Sequence, residues 1–264
     1  GGSHPPVLPF VLGTDFAGRV DMIGSGDNVF RVGDPVFGRV TAPPPGRCGA
    51  YSEYVCVPQD SPIALVPRDV PLRIAAALPT AGTAAAQILS DAAVRSGRSL
   101  LVIGAAGGVG SFLTQLAAAR GTRVVAAVRG DERRRTAALG ATAAVDTTTG
   151  PEALEAAVRR LYPDGVDALV DLVSTDAASF AAYASLVRDG GVVVTTRGVA
   201  APPGVTRADF RPAPDAALLD ELASAVARGE LDVPVDMELP LEKAPQALVQ
   251  NHAGGARGKT VFVI

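Results

Sequence analysis

The sequence predicts an α/β chain, a doubly wound parallel sheet preceded by a smaller region of short strands. Three observations carry this. From Ser99 onward, strand-like apolar runs alternate with segments of helical period. The first of those runs, Leu100-Leu101-Val102-Ile103, is apolar throughout, as a strand covered on both faces requires. Before about residue 70, proline and glycine instead punctuate short apolar runs, the texture of a small barrel or sandwich. With 264 residues, the chain can build one large domain or two modest ones.

The early strands are expected at Val7-Leu8, Phe10-Val11-Leu12, Gly18-Arg19-Val20, Val36-Phe37-Gly38 and Tyr54-Val55-Cys56-Val57, with turns at Gly24–Asp27 and Val32–Pro35. Leu72–Ser96 is alanine-rich and reads as two helices broken around Pro79–Gly82. Val109, Phe112, Leu113 and Leu116 have helical spacing within Val109–Arg120. Arg123–Val128 is the next strand, and Asp131–Leu139 a helix ended by Gly140. Ala143–Val145, Val166–Val173 and Val192–Thr196 are further strands. They are interleaved with helices at Pro151–Leu161 and Asp176–Val187. Residues 200–214 read as a proline-rich loop. Helices at Asp215–Arg228 and Leu241–Asn251 and a closing strand at Lys259–Ile264 complete the chain.

Composition excludes several classes. The net charge of −3 and the lack of a long basic run argue against a nucleic-acid surface. Two cysteines, Cys48 and Cys56, cannot form a disulfide framework or a four-thiolate zinc lobe. Two histidines, His4 and His252, leave little for a metal site and read as surface residues. No stretch approaches the roughly 20 apolar residues of a membrane span, and Gly1–Pro6 does not resemble a signal peptide. A cytoplasmic location is expected.

The segment Ile103-Gly104-Ala105-Ala106-Gly107-Gly108-Val109-Gly110 runs from a buried strand through a glycine turn into a helix. Small residues there let a pyrophosphate approach the backbone and let the helix pack on the strand. Free N–H groups at Gly107, Gly108 and Val109, at the positive end of the helix, would hold the anion. This is the phosphate-binding turn of a Rossmann-type domain, and Gly104, Ala105, Ala106, Gly107, Gly108 and Val109 are its cofactor-binding candidates. The next strand ends Val128-Arg129-Gly130 without the acid that would hold a ribose 2′-hydroxyl. Arg129 and Arg133 offer guanidinium forks suited to a phosphate, so NADPH is expected over NADH. Asp131 and Glu132 could partly neutralise that pocket.

Seven segments together resemble one family. They are Leu12–Val20, Val32–Gly38, Gly49–Val55, Ala75–Pro79, Gly104–Gly110, Leu139–Ala141 and Arg257–Lys259. In this order they resemble the medium-chain dehydrogenase/reductases, in the zinc-independent quinone oxidoreductase (zeta-crystallin-like) branch. The resemblance implies a GroES-like substrate domain over residues 1–75, incomplete at its N-terminus, and a Rossmann domain over 76–212. Residues 213–264 would complete the Rossmann sheet and return to the substrate domain. It implies a nicotinamide between the domains, a small-molecule quinone or activated-alkene substrate and a homodimer, with Val192–Thr195 and its neighbours as the dimer edge. The first barrel strands of the family lie ahead of Gly13-Thr14-Asp15, and without them the barrel is expected to have an open edge.

Gly13-Thr14-Asp15 stands where zinc-dependent relatives carry Gly-His-Glu, so no catalytic metal is expected and Thr14 becomes a pocket residue. Ala84 stands where relatives often have a threonine near the nicotinamide, and Thr83 could substitute. Ser174 stands where a glycine is usual, and Ser174 and Gly198 join the cofactor-binding set. The catalytic candidates, as donors to a developing enolate, are Thr14, Thr83 and Ser174, or water. Tyr51 and Tyr54 are expected to pack, and Asp15 to be a structural acceptor. Two other readings remain open. One is a non-redox cyclase or eliminase on the same fold. The other is an NADPH-binding module or partner subunit.

Overall fold

The computed structural model describes residues 10–41, 49–58, 60–210, 212–213, 215–254 and 256–264. His4, Val7-Leu8 and Cys48 lie outside them. The chain begins with three short strands, β1 (Asp15–Arg19), β2 (Pro35–Arg39) and β3 (Ile63–Leu65). Helices α1 (Leu72–Ala75) and α2 (Pro79–Asp91) follow. Then come β4 (Ser99–Ile103), α3 (Gly108–Ala119), β5 (Arg123–Val128), α4 (Arg133–Ala138) and β6 (Ala143–Asp146). Next are α5 (Pro151–Leu161), β7 (Val166–Asp171), α6 (Ala177–Ala184), β8 (Val187–Thr195) and β9 (Thr206–Asp209). The chain closes with α7 (Ala216–Ala227), β10 (Val235–Pro240), α8 (Ala244–His252) and β11 (Lys259–Val263).

These elements form two compact units. One holds residues 84–212 and 255–258, and the other holds 1–83, 213–254 and 259–264. The first unit is built on a six-stranded sheet of order β6-β5-β4-β7-β8-β9. All five neighbouring pairs are parallel. Every residue of β4 is buried, which its uninterrupted apolar run makes possible. The chain winds from β4 outward through β5 and β6, then returns to the other side of β4 with β7. The order therefore reverses between β4 and β7, where open parallel sheets carry their crevice. Leu101, Val125, Leu169 and Val193, one from each central strand, share a buried core with Leu154, Val158 and Phe180 of the covering helices. Helix boundaries follow local chemistry. Asp176 and Asp215 cap α6 and α7 by accepting from Ser179 N and Leu218 N, and Pro151 opens α5.

The second unit contains the antiparallel sheet β1-β2-β3 and a separate parallel pair, β10-β11. Among the described residues, no helix is long and apolar enough to cross a membrane.

Several expectations need correction. Residues 213–264 add no strand to the six-stranded sheet, because β10 and β11 pair with each other, while 213–254 and 259–264 group with the N-terminal unit. The division between units falls inside α2, after Thr83, and not at residue 75. The two helices expected over Leu72–Ser96 are present, but the break falls at residues 76–78 and Pro79–Gly82 opens the second, since proline is tolerated in a first turn. Within the 200–214 loop, Thr206–Asp209 becomes β9 because β8 offers it an edge to pair with. Val192–Thr195 is consequently an interior strand, and the free edges of the sheet are β6 and β9. The helix expected through Val187 stops at Ala184, since Val187 pairs with Val166 of β7. Phe10–Leu12 and Tyr54–Val57 form no strand, and Tyr54 is 75% exposed.

Candidate active site

Four sequence-selected sites lie on segments that leave the C-terminal ends of the six-stranded sheet: the glycine turn after β4, Arg129 after β5, Ser174 after β7 and Gly198 after β8. Arg133 lies one step further, at the start of α4. Parallel strands put all these ends on one edge, which is how a chain brings distant loops to one ligand.

The glycine turn is fastened at its start. Gly104 N and Ala105 N both donate to Ala127 O, at 3.0 and 3.2 Å. Gly104 has φ +83°, and a β-carbon there would meet Val173 Cγ2 at 2.7 Å. Gly107 caps α3 from an extended conformation, and Ser111 N donates back to its carbonyl at 2.9 Å. Among the described residues, the N–H groups of Ala106, Gly108, Val109 and Gly110 donate to nothing in the chain. Gly108, Val109 and Gly110 are unsatisfied donors of the first turn of α3 and Ala106 adds one from the turn before it, whereas Gly107 N, expected among the free donors, instead donates to Gly104 O at 3.1 Å. A β-carbon on Gly107 would meet only Gly104 O, at an ordinary 3.4 Å, so the chain's own packing does not require a glycine there.

At the tip of β5 the two arginines part company. Arg133 is committed to Asp131, through Nε to Oδ1 at 2.9 Å and Nη2 to Oδ2 at 3.1 Å. This hydrogen bonding holds the Asp131 carboxyl below its usual range. Glu132 is buried and turned towards Arg257, at 2.6 Å, and Arg135, at 3.7 Å. Arg129 is exposed and holds no ion pair or hydrogen bond among the described residues. The anticipated neutralisation therefore falls on Arg133 and spares Arg129.

At the end of β7, Asp171 is a carboxylate of 0% exposure. Its Oδ1 accepts from Val173 N at 2.9 Å and Ser174 N at 3.0 Å, while its Oδ2 has no partner among the described residues. A buried acceptor left open beside the strand-order reversal marks a place where a ligand donor or water belongs. The Asp171 charge also acts on Tyr183, whose hydroxyl is pushed up first by burial and then by that carboxylate. Ser174 is itself buried, and its hydroxyl donates to no group among the described residues. Gly198 has φ +69° and open space where its β-carbon would stand.

In the other unit, the hydroxyls of Thr14 and Thr83 are already directed. Thr14 Oγ1 donates to Asp15 Oδ1 at 3.2 Å, and Thr83 Oγ1 donates to Pro79 O at 2.5 Å one turn back. Asp15 also accepts from Thr80 N at 3.2 Å, from Thr80 Oγ1 and from Lys259 Nζ at 3.3 Å. It joins β1, the first turn of α2 and β11, the structural role expected of it. Tyr51 packs edge-on against Phe262 with ring centroids 4.8 Å apart, and its hydroxyl is pushed up by burial and then by Asp15. Among the described residues, no three His, Cys, Asp or Glu side chains converge as a metal site would need.

Sequence reasoning passed over Asp171 and Asp146. The available signal was a lone carboxylate ending an apolar run, at Val170-Asp171 and Val145-Asp146.

Comparison with known proteins agrees with this architecture. Residues 1–68 match the alcohol dehydrogenase GroES-like domain family and residues 108–213 the zinc-binding dehydrogenase family. The chain is 32% identical over 262 residues to a 2-methylene-furan-3-one reductase of Solanum lycopersicum, covering 97% of itself but only 64% of that protein. It is 30% identical to a mitochondrial NAD(P)H oxidoreductase of Mus musculus, covering 96% of itself and 70% of the relative. Among solved structures, a quinone oxidoreductase from Coxiella burnetii superposes with TM-score 0.85 at 28% identity, over 97% of this chain and 80% of that one. A mycobacterial protein solved with NADPH gives 0.83, also at 28% identity, over 99% and 84%.

Proposed function

This chain belongs to the medium-chain dehydrogenase/reductase family, and from that premise we propose that it is an NADPH-dependent reductase of quinones or activated alkenes. One observation carries the reading. Four undirected N–H groups surround a glycine that nothing else in the chain needs to be small. A pyrophosphate fits that donor set, and Ala106, Gly108, Val109 and Gly110 are the residues assigned to hold it. Arg129 supplies the unneutralised cation for a 2′-phosphate. The names of the tomato and Coxiella relatives support the enone and quinone substrate class, and the NADPH-bound mycobacterial structure supports the cofactor.

When bound, the nicotinamide supplies the hydride that reduces an electrophilic carbon. The chain's part is to hold the reactants in position and to answer the negative charge that develops on the substrate oxygen. Of the three hydroxyl candidates, Thr14 and Thr83 spend their protons on Asp15 and Pro79. Ser174 keeps its proton available and lies on the same sheet edge as the glycine turn, so it is our choice as donor. We also propose a homodimer, formed through the free edge of β9.

The test is to mix the chain with NADPH and a panel of quinones and enones and follow absorbance of the reduced nicotinamide. Oxidation that depends on one acceptor class supports the reading and names the substrate class. Tight NADPH binding without oxidation by any acceptor would reject the reductase. Size-exclusion chromatography with light scattering tests the dimer, and a monomer at micromolar concentration would reject it.

A further inference from the structure

The turn that carries Arg129 is held from the neighbouring strand. Val128 and Asp146 are register partners at the ends of β5 and β6. Just beyond that pair, Gly130 N donates to Asp146 Oδ1 at 2.8 Å, and Thr147 Oγ1 donates to Val128 O at 3.0 Å. Arg129 is thus bracketed by two side-chain bonds to the residues before and after it, while its own guanidinium has no partner among the described residues. Gly130 sits at φ +79°, a conformation that turns the chain sharply away after Arg129. The clasp is itself braced, because Asp146 Oδ1 also accepts from Thr148 N at 2.9 Å and Thr148 Oγ1 at 2.7 Å.

A pinned backbone beneath an unpartnered guanidinium is preorganised for an external anion, since the cost of ordering the turn is met before the ligand arrives. We propose that Asp146 and Thr147 are positioning residues for cofactor selectivity, holding the Arg129–Gly130 turn so that Arg129 meets a 2′-phosphate. The proposal rests on the NADPH reading above and deepens it. It also explains why an acid is tolerated so near a phosphate site. The bonds of Asp146 go to backbone N–H groups and a hydroxyl, and what they demand of it is acceptor geometry. An asparagine could provide the same acceptor without the charge.

The experiment is calorimetric titration of the full chain with 2′-phospho-ADP-ribose and with ADP-ribose, which separates phosphate recognition from hydride chemistry. The readout is the ratio of the two dissociation constants, which a partly unfolded sample does not change. Asp146→Ala is expected to lower the preference for the phosphorylated probe about five- to tenfold, with ADP-ribose affinity nearly unchanged. Thr147→Val should lower it in the same direction, and Asp146→Asn should retain it. Arg129→Ala should abolish it. A preference that collapses in Arg129→Ala but survives intact in Asp146→Ala and Thr147→Val overturns the positioning role alone. A parent chain without preference, or one whose preference survives Arg129→Ala, overturns the NADPH reading and this inference with it.

Discussion

The carbonyl oxygen of Gly104 occupies the place where a β-carbon on Gly110 would stand, and Ala105 Cα would lie only 2.7 Å from it. The glycines of the turn are therefore small for different reasons. Gly110 lets α3 close against the end of β4, whereas Gly107 meets no such contact and, on the proposed reading, leaves room for a ligand. Gly110→Ala should cost about 3 kcal/mol of stability through overpacking. Gly107→Ala should leave the melting temperature within a few degrees of the parent and weaken NADPH binding at least about tenfold. Thermal melts with cofactor titrations separate the two. Equal loss of stability in both variants would refute the distinction.

Arg129 and Arg133 differ in commitment, so their removal should differ in effect. Arg129→Ala should reduce NADPH affinity about tenfold or more and leave NADH affinity nearly unchanged. Arg133→Ala should change the ratio less than about threefold, because its guanidinium is already paired with Asp131. The measurement is the ratio of dissociation constants for the two cofactors.

At the opposite, N-terminal end of the sheet, Asp167 accepts from Ser99 N at 2.8 Å, Ser99 Oγ at 2.9 Å, Arg98 Nη1 at 2.9 Å and Arg188 Nε at 2.9 Å. Burial pushes its pKa up, but the hydrogen bonds from Ser99, Arg188 and Arg98 outweigh it and hold the carboxyl at about 2. Because the folded value lies below the unfolded one, near 3.8, the stabilisation is full above pH 4 and disappears as pH falls towards 2. The shift corresponds to about 2 kcal/mol. Urea unfolding between pH 5 and 2 should show this loss in the parent chain, and Asp167→Asn should flatten it.

Asp15 gathers Thr14, Thr80 and Lys259 within its own unit. Removing it leaves Lys259 and the first turn of α2 without their acceptor. Asp15→Ala should destabilise the chain by about 2–4 kcal/mol, and Asp15→Asn by less. Chemical denaturation reads both values directly.

Ser174→Ala tests the proposed donor. It should lower kcat about ten- to a hundredfold with little change in the KM for NADPH. Unchanged kcat would leave water as the proton source.

Much of the cofactor half is legible in the sequence. Strand, glycine turn and helix are adjacent in the chain, so local chemistry alone places Gly104–Gly110 in their conformation. The alternation of apolar runs and helical periods likewise predicts the parallel sheet, because each element has to bury a face. Legibility fails where a residue's role depends on a distant partner. Thr206–Asp209 is too short and polar to read as a strand until β8 lies beside it. Thr14, Thr83 and Ser174 look alike as hydroxyls, and only their acceptors tell them apart.

The sequence by itself thus determined most elements of the six-stranded unit, the strand–glycine turn–helix run at Gly104–Gly110 and the presence of arginines after β5, since each is written within one short span. Tertiary structure decided the rest. It assigned residues 213–254 and 259–264 to the N-terminal unit, set Asp146 under the Arg129 turn and, among the described residues, left Asp171 Oδ2 without a partner and paired Arg133 while sparing Arg129. The physical reason is common to these cases: hydrogen bonds and strand pairings between residues far apart in sequence depend on positions that only the completed fold defines.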